Sequence, residues 1–321
     1  MFKIIISDTI YARIKAAESG KPAQEQSALR KLLRQQPVQP LTAEETLQFK
    51  NHPEEVLKTP SALYILDISP AEALRIQASY GVMCLSGEQP DISPLIDVND
   101  YFQPSTKNRK FKGWDRILDS VEKLPSNALV IIDRYLFSKR SKDAGDGLAN
   151  VYSILRELLP QTFEGGDYHL TVVFNIDATH PSYSFSEIAT KLTNITRQLR
   201  PGYNTMVEVF AIKESCTLYD DSHDRRIVSN YFYVVASHKL AAFNPEDKGT
   251  VPQSISPWAL FTESSLTGDS SAPLESIEET IDDFHKFYTA LPNPAEHNTY
   301  LYALNGKRME RCMGVRNRLL K

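Results

Sequence analysis

Eight residues, His223-Asp224-Arg225-Arg226-Ile227-Val228-Ser229-Asn230, combine the side chains that phosphate chemistry uses. They read H-x-R-x-x-x-x-N and lead into Tyr231-Phe232-Tyr233-Val234-Val235-Ala236, an apolar run of strand character. A neutral imidazole can attack phosphorus and leave again once protonated. A guanidinium stays charged and grips phosphate oxygens through paired donors. Residues two apart on a strand point to the same side, so His223 and Arg225 form a pair. Asn230 lies five beyond Arg225 and falls on the opposite face of a regular strand, unless a bulge or a loop intervenes. The catalytic candidates are therefore His223, Arg225 and Asn230, with His223, Arg225, Arg226 and Arg134 as phosphate ligands. The plain alternative is a solvated loop in which Asp224 pairs with Arg226 or Arg134.

Arg134 belongs to Ile132-Asp133-Arg134-Tyr135-Leu136, which closes the apolar run Ala128 to Asp133. This I-D-x-Y-L turn, the helix and strand units after it, and H-D-R-R-I before a strand together resemble phospholipase D-like domains over roughly 114–244. The half-site is one conservative step from that family's H-x-K-x-x-x-x-D. The closer resemblance is to its non-catalytic branch, the C-terminal domain of MIT-domain proteins, where an H-D-R element also precedes the strand. Arg225 stands at the family's lysine and Asn230 at its aspartate. The family's G-S-x-N element is matched only by Ala236-Ser237-His238-Lys239. Active members pair two histidine motifs and this chain has one, so the resemblance implies that turnover by a phosphodiesterase or nuclease would need a homodimer. Binding of a nucleic-acid or phospholipid head-group phosphate without turnover is the reading it favours. A subunit role in a bacterial nucleic-acid-related, defence-type system is an expectation by association.

Other clusters point elsewhere. Lys107, Arg109, Lys110 and Lys112 flank one aromatic and are candidates for nucleic-acid contact. Asp8, Asp67 and Glu72 sit at strand ends, where carboxylates can gather a divalent cation, although such acids are common as caps and turns. The expectation is no metal and no cofactor. His169, His180, His238, His285 and His297 lack metal-ligand spacing, and no phosphate-binding glycine loop occurs.

The elements that must position these residues alternate in type. In the first third, strands are expected at Phe2–Ser7, Ala62–Ile68 and Val82–Leu85. Helices are expected at Pro22–Gln36, at Thr42–Lys50 behind a Thr42/Glu45 capping box, and at Pro70–Ser79 behind Ser69. The stretch Gly87–Gly113 is rich in turn residues and marks a boundary between residues 1–110, a small α/β domain with linker, and 111–321, the phospholipase D-like module. In the second part, helices are expected at Asp115–Leu124, Gly147–Leu159, Phe185–Leu199 and Leu274–Leu291. Strands are expected at Ala128–Asp133, His169–Ile176, Met206–Ile212 and, as one long strand, Arg226–Ala236. The fold class is α/β, with a mixed or parallel sheet, helices on both faces and a helical C-terminus.

Asn244–Pro273 reads as weakly ordered, with Trp258, Leu260 and Phe261 as anchors. The tail after Gly306 reads as a basic helix able to dock a protein partner, the basis of an interaction-scaffold alternative. A net charge of −4 gives no global basic footprint for nucleic acid. Three scattered cysteines, no apolar run of membrane-spanning length and a polar turn after Phe2–Ser7 point to a cytoplasmic protein without a transmembrane segment.

Overall fold

A computed structural model describes residues 2–16, 24–88, 90–96, 102–103, 113–138, 146–175, 179, 184–212, 225–243, 253–262, 265–267, 273–289, 299–305, 308–311 and 315–320. The class is α/β, built on two sheets. The first is wholly parallel, in the order β2-β1-β3-β4, from β1 (Ile4–Ser7), β2 (Val38–Leu41), β3 (Leu63–Leu66) and β4 (Met83–Ser86). Its helices are α1 (Asp8–Ala16), α2 (Gln24–Gln35), α3 (Ala43–Asn51) and α4 (Pro70–Tyr80). The expected capping boxes form: Thr42 with Glu45 starts α3, and Ser69 with Glu72 starts α4 with Pro70 in its first turn. Gly81 ends α4 at φ 61°, and a Cβ there would lie 2.0 Å from the Ser126 carbonyl oxygen. Only glycine suits both the left-handed turn and that close approach.

The second sheet has the order β10-β9-β8-β5-β6-β7-β11-β12. Its parallel centre is β5 (Ala128–Ile132), β6 (Tyr168–Asn175) and β7 (Thr205–Ile212), linked by α6 (Gly147–Leu158) and α7 (Phe185–Leu199). Every residue of β5 and β6 is buried, so both faces of the centre are covered, as the apolar run of β5 requires. The antiparallel flanks are β8 (Arg225–Ser229), β9 (Phe232–Ala236) and β10 (Ile255–Ala259) on one side. On the other are β11 (Thr299–Asn305) and β12 (Arg308–Arg311). Short α5 (Trp114–Leu118) and the acidic α8 (Pro273–Thr289) complete the described helices.

Four expectations are corrected. The single strand Arg226–Ala236 is a hairpin, because Ser229-Asn230 breaks the apolar run and Val228 pairs with Tyr233. Within Asn244–Pro273, residues 255–259 form β10: Ile255 and Ala259 turn inward on alternate positions and Pro257 sits on an edge strand, where its missing N–H is tolerated. Trp258 is half-buried, and Leu260 and Phe261 are buried. The helical C-terminus is replaced by the β11–β12 hairpin, in which Asn305 pairs with Arg308. Thr299-Tyr300-Leu301-Tyr302 is rich in strand formers. The basic helix offered as a partner-docking element is therefore absent over 308–311. Finally, α1 and β2 were not expected: α1 starts directly at the end of β1 with no turn residues to announce it.

The two sheets share one hydrophobic cluster, running from Phe2, Ile4 and Ile6 to Phe261 and Phe284. The rings of Phe2 and Phe261 pack edge to face at 5.4 Å. No described helix is long and apolar enough to cross a membrane.

Candidate phosphate site

β5 ends at Ile132, which pairs with Arg226 of antiparallel β8. Arg225 therefore stands just past the carboxyl end of β5, beside Asp133. On its other side Arg225 pairs with Ala236, the last residue of β9, so the turn Ser237-His238-Lys239 emerges at the same end of the sheet. Asn175, the last residue of neighbouring β6, donates its backbone N–H to the Arg134 carbonyl at 3.1 Å. The turn around residue 133 and the two ends of the β8–β9 hairpin, at 225 and 238, thus meet at the carboxyl edge of the parallel strands. Open α/β sheets place ligands on that edge.

Asp133 organises this edge. It is fully buried and accepts the Tyr135 N–H at 2.8 Å and the Leu240 N–H at 2.6 Å. The Arg225 guanidinium lies 3.9 Å away, close enough for an ion pair but too far for a hydrogen bond, and stacks over the Tyr135 ring at 5.5 Å. The pair is held by field and packing, and Arg225 serves as a counter-charge. Arg226 is half-buried: it donates to the Thr280 hydroxyl of α8 at 2.9 Å and lies over the Tyr233 ring. Arg134 is also half-buried, whereas Ser237 and His238 are exposed. The backbone of the 237–239 turn is fixed by Gln253, whose side-chain Oε1 accepts the His238 and Lys239 N–H groups at 3.2 and 3.0 Å.

Burial pushes the Asp133 carboxyl above the ordinary carboxylate range, against the two amides and Arg225, which pull it down. A raised carboxyl binds its proton more tightly in the folded chain than in the unfolded one. Its contribution to stability is fully present below the unfolded value and is lost as pH rises through the folded one. Asp133→Asn is therefore expected to flatten the loss of Tm with rising pH above the ordinary carboxylate range, as thermal melts over a pH series will read.

Asn230 is parted from this edge. It sits at the far end of β8, about 17 Å from Arg225 at the usual strand rise. There its amide nitrogen donates to the Asn127 side-chain oxygen and the Pro60 carbonyl, each at 3.0 Å, and its oxygen accepts the Asn127 N–H at 3.0 Å. Next to it the Tyr231 hydroxyl donates to the Ala62 carbonyl at 2.7 Å and accepts the Met83 N–H at 2.9 Å. These bonds tie β8 and β5 to the first sheet, and they engage both ends of the Asn230 side-chain amide away from the Arg225 edge. Sequence spacing could not separate Asn230 from that edge, because the hairpin turn was read as strand.

His223 and Asp224 lie outside the described residues, as do Lys107, Arg109, Lys110 and Lys112. The carboxylates weighed for a cation do not converge: Glu72 is bound to the cap of α4, Asp8 accepts from Thr9, and Asp67 is exposed. Among the described residues no group of three or more His, Cys, Asp or Glu side chains could hold a metal.

No family model and no curated protein matches the chain. Among solved structures it is similar to phosphatidylserine synthase of Haemophilus influenzae Rd KW20, at TM-score 0.32 and 10% identity over 62% of this chain and 42% of that one. It is also similar to Drosophila Piwi, at TM-score 0.19 and 10% identity over 89% of this chain and 44% of that one. Each match spans less than half of the other protein.

Proposed function

We propose that this protein binds a phosphate group, of a nucleic acid or a phospholipid head group, at the carboxyl edge of β5 and does not cleave it. The observation that carries the reading is the convergence of the I-D-R-Y-L turn, the start of β8 and the Ser237-His238-Lys239 turn on one sheet edge. These are the segments that resemble phospholipase D-like domains, and the first lies about a hundred residues before the hairpin that supplies the other two. The cations that meet the phosphate are Arg134, Lys239 and His223, which precedes β8 by two residues. Arg225 holds the edge together through Asp133. Turnover is disfavoured because Arg225 cannot give up a proton near neutrality and Asn230 is committed elsewhere.

Direct binding is the test. Labelled single- and double-stranded RNA and DNA form one arm, and vesicles with and without phosphatidylserine the other. Binding in one arm is expected, weakening with salt as phosphate contacts do. His223→Ala, Arg134→Gln and Lys239→Gln are each expected to lower affinity by about tenfold, the size of a lost charge-assisted hydrogen bond. Cleavage that disappears with His223 would overturn the non-catalytic reading in favour of a dimeric phosphodiesterase. Absence of binding in both arms would overturn the site.

A further inference from the structure

The turn that follows β9 is held through its backbone more completely than a surface turn requires. The N–H groups of four successive residues, 237–240, all meet acceptors within the chain. Ser237 donates to the Ser254 carbonyl at 2.9 Å. His238 and Lys239 share Oε1 of Gln253, and Leu240 donates to Oδ2 of Asp133. Contacts also run the other way. Gln253 Nε2 donates to the Lys239 carbonyl at 2.9 Å, and the Ser254 N–H donates to the Ser237 hydroxyl at 3.0 Å. Gln253 is 9% exposed, whereas Ser237 and His238 are exposed. The clasp has a support behind it: Gln253 and Ser254 lead into β10, where Ile255 exchanges two backbone hydrogen bonds with Phe102, each at 2.9 Å.

Lys239 is the residue fixed most closely. Gln253 binds its N–H and its carbonyl, and Asp133 binds the N–H that follows. The other oxygen of the same carboxylate takes the Tyr135 N–H, which follows Arg134. Arg134 and Lys239 thus each stand one residue ahead of an amide bound to Asp133. One buried carboxylate sets the spacing of the two backbones, and Gln253 sets how the backbone of Lys239 is turned toward that edge.

We propose that Gln253 is the positioning residue of the phosphate site: by clasping both polar groups of the Lys239 backbone it holds Arg134 and Lys239 as a preformed two-cation clamp for one phosphate group. The inference rests on the phosphate-binding reading above and names the residue through which that site is built. A side-chain amide suits the task, because one planar group offers an acceptor to two N–H groups and a donor to a carbonyl. Glutamate would lack the donor. With the amides of the turn engaged, an anion is met by side chains. Clasping the turn in advance also removes an ordering cost that a loose lysine would bring to binding. For the core the clasp does little, since the turn it restrains carries two exposed residues.

The test is a double-mutant cycle on affinity, using the full chain with the labelled RNA and DNA and the phosphatidylserine vesicles of the two arms above. Methionine keeps the unbranched shape of glutamine without its hydrogen bonds. Gln253→Met is expected to weaken binding by about three- to tenfold, the size of ordering one long side chain on binding. In the Lys239→Gln background the same change is expected to have no further effect, because Gln253 acts through that cation. A merely structural role would weaken both backgrounds alike. Equal losses in the two backgrounds, or unchanged affinity of Gln253→Met beside a weakened Lys239→Gln, would overturn the role of Gln253 and leave the phosphate site standing. No binding by the wild type in either arm would remove the site and the clamp together. Should Gln253→Met not fold, Gln253→Asn is measured in its place, since it keeps the amide but is too short to reach both polar groups of Lys239. Failure of both variants to fold would assign Gln253 to the core and overturn the proposal.

Discussion

Replacing Arg225 with Met is expected to lower the unfolding free energy by roughly 3–5 kcal/mol, the range for breaking one partner out of a buried ion pair. The reason lies in Asp133, which is 0% exposed and holds two backbone N–H groups that fix the turn after β5 and the turn after β9. Without the guanidinium 3.9 Å away it becomes a buried charge with no counter-charge, or takes up a proton and gives up part of its hold on those amides. Asp133→Asn leaves Arg225 as the unpaired charge and turns an NH2 group toward one of the two N–H donors. The double variant Asp133→Asn/Arg225→Met removes both charges and is expected to be destabilised by less than the sum of the single changes. A coupling of more than about 1 kcal/mol in a double-mutant cycle is expected from urea unfolding. A cost below about 1 kcal/mol for Arg225→Met would place the pair among solvated ones and return Arg225 to the list of groups free to meet a phosphate. The same experiment thus separates a structural arginine from a ligand.

Much of the frame was legible because short-range chemistry decided it. The β5 run is apolar throughout, as a strand buried on both faces requires, and Thr42-x-x-Glu45 and Ser69-Pro70-x-Glu72 announce helix starts through bonds within four residues. Two kinds of feature were not legible. One is an element whose periodicity is short or mixed: β10 contains a proline, and β12 is only four residues long, too short for its alternation to stand out in a basic tail that reads as helix. The other is anything set by pairing across long separations. Arg225 and Asp133 were both in view, as were Ala236-Ser237-His238-Lys239, yet their meeting depends on β8 running antiparallel to β5 and on the register Ile132–Arg226. The burial of Glu208 under the Arg316 and Asn317 N–H groups gave no signal at all, since a lone glutamate in Met206-Val207-Glu208-Val209 alternates like any strand with one solvated face.

Asn230→Asp is the change that would restore the residue type of the phospholipase D-like half-site, and it is expected to harm the protein rather than activate it. The side chain at 230 needs a donor and an acceptor together. Its nitrogen faces two oxygens, those of Pro60 and of the Asn127 side chain, and its oxygen faces the Asn127 N–H. An aspartate keeps the acceptor but sets a second carboxylate oxygen against two carbonyl-type oxygens, in a position 2% exposed with no cation within its hydrogen bonds. A single buried charge without a partner costs roughly 3–5 kcal/mol, so the variant is expected to bind a proton at unusually high pH and to lose stability as pH rises from the ordinary carboxylate range up to that point. Asn230→Ala removes the bonds without adding charge and is expected to cost less, about 1–3 kcal/mol for the polar groups left unpaired. Urea unfolding at two pH values distinguishes the cases: the Asp variant should approach the wild type on acidification and the Ala variant should not. Because the residue ties β8 and β5 to the first sheet, the loss should appear as a loosening of that seam, with the Met83 N–H beside Tyr231 among the first amides to exchange. Phosphate binding measured on the folded fraction should be unchanged in both variants. A loss of binding without a loss of stability would instead return Asn230 to the site.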